Sequence, residues 1–376
     1  MPALRIIGNE LLDQEEFESG GYAEKLQFDD HESRTRLTAP SPFAVAPADG
    51  ATATPSPMPT ASDDITPLPP IAFGQPLTVD IRHVYSGRIG YKEFLGPTGD
   101  IAVVSGVKDW STFKASARAL NFVAPRTGQF ANLTGPSALD DGSRIVAYQK
   151  AVVARQINVG FELVAAPGSS PSVLEQLGSA FKASAGVPLF LPYAGALLAA
   201  GQILPFVGDL IEQLSRPSPW SSNVDINFGL PGTRPTRAEF QAVVKNKQAL
   251  AGYRYEDGKG MVDASGRPYT GSEPYIVIAI YGGSMPELES FTPSVMSAEL
   301  AQRFYQANSG IGGAFDDLLG IIKVASDVKY RQDAEALQKR LSGLDAESEE
   351  AKKLEAQLKA VLDNIIDPTL RPKKPA

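Results

Sequence analysis

Read for hydrophobic period alone, the chain divides into a β-patterned middle and a helix-patterned end. Residues 77–85, LTVDIRHVY, alternate Leu77, Val79, Ile81 and Val84 against polar neighbours, the period-two signature of a half-buried strand. Further strands are expected at 101–107, 145–153, 157–164, 224–228, 250–255 and 275–281. Turn-forming stretches separate them: GPTGD at 96–100, DDG at 140–142, EDGKG at 256–260 and DASG at 263–266. Seven or more short strands without regular intervening helices predict a mainly β chain with α additions. The fold expected over residues 71–310 is an antiparallel β-sandwich, not a parallel doubly wound sheet.

One stretch breaks the alternation. Residues 183–208 are 26 positions without a charge, flanked by SVLEQLGSAFKAS and DLIEQLSR. They predict an apolar helical insert over 172–215 centred on Leu189, Phe190, Leu191, Leu197, Leu198, Ile203, Leu204, Phe206 and Val207. The run is long enough for a membrane-spanning helix. However, Pro188, Pro192 and Pro205, with Gly186, Gly195, Gly201 and Gly208, would break one helix into short pieces. Two readings follow: a helical hairpin buried in the core, which is preferred, or a hairpin that inserts into membranes.

The C-terminal region, 311–367, is expected to be a helical hairpin. Leu337, Leu341 and Leu344 step by four and three, and Leu354, Leu358, Val361 and Ile365 by four, three and four. The seam slips phase between Leu344 and Leu354, and Ser342-Gly343 is a natural stop, so two helices fit better than one rod. This seam is the expected assembly surface. Residues 368–376 read as a solvated tail.

At the other end, residues 1–37 form an acidic-hydrophobic arm expected to dock rather than pack with the core. Residues 38–70 are so rich in Pro, Ala, Thr and Ser that they predict a linker. Charge sharpens this division. The formal net charge is -8, with 12 acidic and 4 basic residues in 1–70 against 19 and 20 in 71–310. A near-neutral middle without a basic run gives no footprint for nucleic acid. No charged-then-apolar leader opens MPALRIIGNELLDQEEFESG, and there is no cysteine, so a reducing, cytoplasmic setting is expected.

Candidate chemistry is sparse. Two histidines, His31 and His83, leave no Ser-His or Cys-His pair to build on and too few ligands for zinc. His83 is expected as a half-exposed strand position. SGIGGAF at 309–315 and GYRYEDGKGMVDASG at 252–266 depart from both phosphate-binding patterns, so no cofactor is implied. The acids at Asp63, Asp64, Asp100, Asp109, Asp140, Asp141, Asp225, Asp257 and Asp263 fall in loops or at strand ends. Asp there usually serves turn geometry, and calcium ligation is the weaker reading.

Over roughly residues 75–290 the order of elements is similar to that of C2-type sandwiches, which bind membranes or partners. No motif is shared, and that family's calcium-ligating aspartates have no counterpart positions here, so no family is assigned. The reading is a non-enzymatic intracellular binding or scaffold protein with a protein partner or self-association. A membrane-acting effector using 183–208 is the alternative, and an enzyme of unknown type stands behind both.

Overall fold

The computed structural model describes residues 3–7, 10–13, 15, 71, 73–89, 99–109, 118–136, 141–167, 171–183, 189–193, 196–199, 202–205, 220–228, 236–282 and 316–372. The chain is mainly β and its paired strands are antiparallel. One seven-stranded sheet runs in the order β2 (Glu10–Leu12), β1 (Ala3–Ile7), β13 (Glu239–Val244), β16 (Tyr275–Tyr281), β3 (Leu77–Tyr85) and β6 (Asn132–Thr134), with β7 (Ile145–Gln149) also paired to β3. A second runs in the order β11 (Gln202–Pro205), β10 (Ala196–Ala199), β9 (Leu189–Tyr193), β5 (Arg118–Ala124), β4 (Gly99–Asp109), β8 (Gln156–Pro167) and β12 (Trp220–Asn227). A small hairpin, β14 (Arg254–Glu256) and β15 (Gly260–Val262), stands apart.

The two sheets share one core. Leu77, Val79 and Ile81 of β3 and Ile276, Ile278 and Ile280 of β16 belong to the same buried cluster as Ile101 and Val103 of β4 and Phe161 and Leu163 of β8. Burial of alternate β-branched and leucyl side chains from facing strands is the main favourable term holding such layers together. The alternation in β3 slips once. Val277 pairs with His83 and Ile278 with Ile81, so Arg82 is the extra residue of a bulge. After it Val84 faces the core and Tyr85 the outer layer.

Three expectations need correction. First, the start of the arm is not tethered outside the core. Residues 3–6 pair with 240–243, and Leu4, Ile6 and Leu12 are buried. The alternating pair Leu4 and Ile6 suffices to seat the strand once an existing strand edge supplies its hydrogen bonds. The rest of 1–37 other than residues 10–13 and 15, and all of the expected linker 38–70, lie outside the described residues.

Second, among the described residues of the insert only α1 (Pro171–Ala183) is helical. Leu189, Phe190 and Leu191 lie on β9, Leu197 and Leu198 on β10, and Ile203 and Leu204 on β11. These three strands extend the second sheet beyond β5. Where the helical hairpin was expected, the described residues form an antiparallel meander of three short strands. Pro192, which has no N–H to donate, lies where the β9–β10 register slips. Phe206 and Val207 lie outside the described residues. Third, residues 250–255 end a 3-10 turn and begin β14 instead of forming one strand.

The C-terminal hairpin is present as α2 (Asp316–Leu341) and α3 (Glu349–Asn364). Ser348 caps α3 by accepting the Ala351 N–H at 3.1 Å, with Glu349 and Glu350 in the first turn, where they oppose the positive end of the helix. Buried Asp327 of α2 accepts the N–H groups of Ile366 and Asp367 at 3.0 and 2.8 Å, closing the chain back onto the hairpin. The hairpin also docks on the β layers. Asn364 brackets Ala151, donating to its carbonyl at 2.7 Å and accepting its N–H at 3.3 Å, and Ala360 lies against Gly74, which holds φ 81°. Among the described residues no helix is long and apolar enough to cross a membrane.

Candidate functional site

Helix α1 is held to the second sheet by Leu177, Ala180 and Phe181, which share a cluster with Ala102, Val104 and Leu120. Beside that contact a groove of about 340 Å³ runs between α1 and the ends of β5 and β6. Phe122, Val123, Leu133, Leu174, Leu177 and Phe181 give it apolar walls, and Asp141 contributes the single carboxylate. Gly178 lets the Asp141 carboxylate lie against α1, since a Cβ there would require that half-exposed side chain to swing aside. Gly142, at φ 138°, lies similarly tight against Phe122 and its strand. Lys182 stands 3.8 Å from Asp141, with both groups largely in solvent, so the pair contributes little rigidity. The volume lies at the lower end of the range of ligand-binding clefts, and the mainly apolar lining includes Thr134 and the Asp141 carboxylate as polar groups.

The rim of the groove is the loop that carries the chain from β5 in the second sheet to β6 in the first. It begins at Pro125 and ends one residue before Asn132. Its backbone is pinned on all sides. Arg126 N–H donates to the Asp100 carboxylate at 3.0 Å and Thr127 N–H to the Gly99 carbonyl at 2.8 Å. Phe130 N–H donates to the Gly87 carbonyl at 2.7 Å and Ala131 N–H to Ser86 Oγ at 2.8 Å. Two residues other than glycine are held at positive φ, Arg126 at 52° and Phe130 at 60°, a region where a bulky side chain is strained. Phe130 is 46% exposed, and Arg126 and Arg88 are exposed beside it. Among the described residues neither guanidinium has an ion-pair or hydrogen-bond partner.

Comparison with known protein families, with curated proteins and with solved structures finds no match. What the site can do therefore rests on its own geometry.

The strand histidine expected to be half-exposed is buried. His83 is 1% exposed, stacked on Tyr275 at 5.7 Å, with Nε2 3.0 Å from Asn132 Oδ1 and Gly260 packed directly over the ring. Burial holds its pKa below the usual value, and the Asn132 contact and the Asp257 charge offset this only in part. Nearby, Asp80 is fully buried. Arg82 Nε donates to it at 2.7 Å and Tyr281 OH at 3.1 Å, yet burial pushes its carboxyl up to about 6 against the pull of Arg82 and Arg144. This cluster of Asp80, Arg82, Arg144 and Tyr281 has the character of an interior polar network on the outer face of the first sheet.

Among the described residues the loop acids do not converge. Asp100 serves the rim loop, Asp225 accepts from Asn158 at 2.7 Å, Asp257 from the Tyr255 hydroxyl at 2.8 Å, and Asp263 from Ser265 and Arg267. Among the described residues no three His, Asp or Glu side chains are grouped to hold a metal. Asp109 ends β4, and Asp63, Asp64 and Asp140 lie outside the described residues. In the expected assembly seam, Leu354, Val361 and Ile365 are buried, and Leu337, Leu341, Leu344 and Leu358 are half-buried. Sequence reasoning missed the groove and its rim, apart from Asp141. The only local signal was PRTG at 125–128, a turn signature that carries no message about the aromatic after it.

Proposed function

We propose that this chain is a non-enzymatic binding protein whose recognition surface is the groove between α1 and the ends of β5 and β6. The observation that carries this reading is an apolar cleft of ligand-binding size with one carboxylate, Asp141, accommodated by the absent side chain of Gly178. Binding is favoured over catalysis because His83 is enclosed and hydrogen-bonded to an amide, and the described lining of the groove is mainly apolar.

The test is saturation binding of the environment-sensitive dye 1-anilinonaphthalene-8-sulfonate to the full chain and to Leu174→Trp, which fills the groove from the half-buried face of α1. One-site binding that weakens by about tenfold in the variant, with an unchanged melting temperature, is expected. Equal dye binding by both proteins would place the dye elsewhere and remove the groove as a site.

A further inference from the structure

We infer that the occupant of the groove is an acidic peptide segment of another protein, with an apolar anchor residue in the groove and carboxylates over its rim. The inference rests on the groove reading above and adds to it the chemistry of the ligand. Three observations carry it, and all lie in the loop between β5 and β6.

The first is what the loop displays. Phe130, Arg126 and Arg88 stand in solvent just beyond the groove, where a small molecule confined to about 340 Å³ has no contact with them. A chain that enters the groove and continues over the β5–β6 loop has Arg126 and Phe130 in its path. Aromatic and arginine side chains are the types that carry most of the energy at protein interfaces.

The second is the strain. Phe130 occupies a backbone conformation that suits glycine or asparagine, and it is kept there by hydrogen bonds from its neighbours, not by packing of its own half-exposed ring. Strain retained at an exposed position is expected where the side chain's placement is used. The third is charge. Among the described residues the rim loop and its neighbour expose Arg126 and Arg88, whose guanidiniums have no ion-pair partner, while Lys182 faces Asp141 and the Asp100 carboxylate under the loop is buried and taken up by the Arg126 N–H. Such a surface attracts and orients an anionic segment. An anionic bilayer would suit the arginines and the phenylalanine, but a planar surface cannot enter a groove walled by α1.

The experiment uses the full chain and two labelled peptides, EEFDELWEDE and its charge-reversed partner KKFKKLWKKK, read by fluorescence anisotropy. The acidic peptide should bind saturably and the basic one should not. Arg126→Glu should weaken the acidic peptide by about tenfold and Phe130→Asn by about fivefold, neither lowering the melting temperature. Dye binding without peptide binding overturns this inference and leaves the groove reading standing. Failure of both probes removes the two together. Capture of the chain by phosphatidylserine vesicles in an Arg126-dependent manner, without peptide binding, would assign the rim to a membrane surface and overturn the peptide inference.

Discussion

The carboxylate of Asp80 lies wholly out of solvent, with Arg82 and Tyr281 donating to it, and its pKa nevertheless stands at about 6 instead of near 3.8. Desolvation therefore outweighs the two guanidiniums. A raised folded-state pKa means that the folded chain binds this proton more tightly than the unfolded chain. Its contribution is fully present below pH 4 and is lost as the pH rises through about 6, an effect on the order of 2–3 kcal/mol. Asp80→Asn keeps an acceptor for Tyr281 and should remove that loss. Denaturant unfolding of both proteins from pH 4 to pH 7 should show their stability difference changing within this window and flat above it. A difference independent of pH would mean that Asp80 is ionised throughout. His83 acts in the opposite direction, since its lowered pKa withdraws stability as the pH falls below about 6.5, so only the wild-type-minus-variant difference isolates Asp80. At Phe130 the prediction concerns backbone strain. Phe130→Asn should leave the chain as stable or raise its stability by about 1 kcal/mol, because asparagine tolerates the left-handed region at less cost than a bulky side chain.

Among the elements, β1 shows how little sequence a strand needs once its neighbour is in place. Arg5 extends from it to Glu239 of β13 at 2.7 Å, both nearly fully buried, and burial raises the Glu239 carboxyl despite that partner. Removing the cation alone strands an acid in the interior. Arg5→Met should therefore cost about 3–5 kcal/mol, and adding Glu239→Gln, which still accepts from Gln241, should recover most of it. Thermal denaturation of the two variants decides this, and equal losses would mean that β1 is held by its apolar residues alone. The period-two run at 77–85 was legible because one face is apolar and the other is not, until the bulge at Arg82 shifts the phase. Strands β1, β2, β5, β6 and β13 were not legible, since three to seven residues of mixed polarity carry too short a period to register. The run at 183–208 misled for the opposite reason. Apolar on all sides, it has no period, and length alone favoured helix, whereas the Ala-Gly pairs spaced six residues apart were the better guide to short strands. Apart from Asp141 the groove could not be read, because it exists only where α1, β5 and β6 are brought together from three separate stretches of chain.

At the scale of the whole molecule, the C-terminal hairpin occupies the surface that its own sequence left open. Periodicity at Leu354, Leu358, Val361 and Ile365 correctly marks an apolar seam but is silent on what covers it, and a second copy of the chain would satisfy the pattern as well as any other surface. Leu354, Val361 and Ile365 are each 5% exposed or less, and Asn364 and Ala360 meet Ala151 and Gly74 of the β layers. The hairpin thus stabilises its own chain, and truncation should be felt as lost stability more than as lost assembly. A chain ending at residue 315 forfeits the burial of these side chains and leaves the Ala151 backbone without its Asn364 partners. The expected cost is several kcal/mol, at about 1.5–3 kcal/mol for each large apolar side chain returned to water and about 1 kcal/mol for each hydrogen bond. Calorimetry should show a lower melting temperature in a single transition. Sedimentation velocity of the two chains at equal concentration should show no change in the number of subunits. A truncated chain that melts at the full-length temperature but sediments as a smaller assembly would return the seam to its first reading, a surface for self-association.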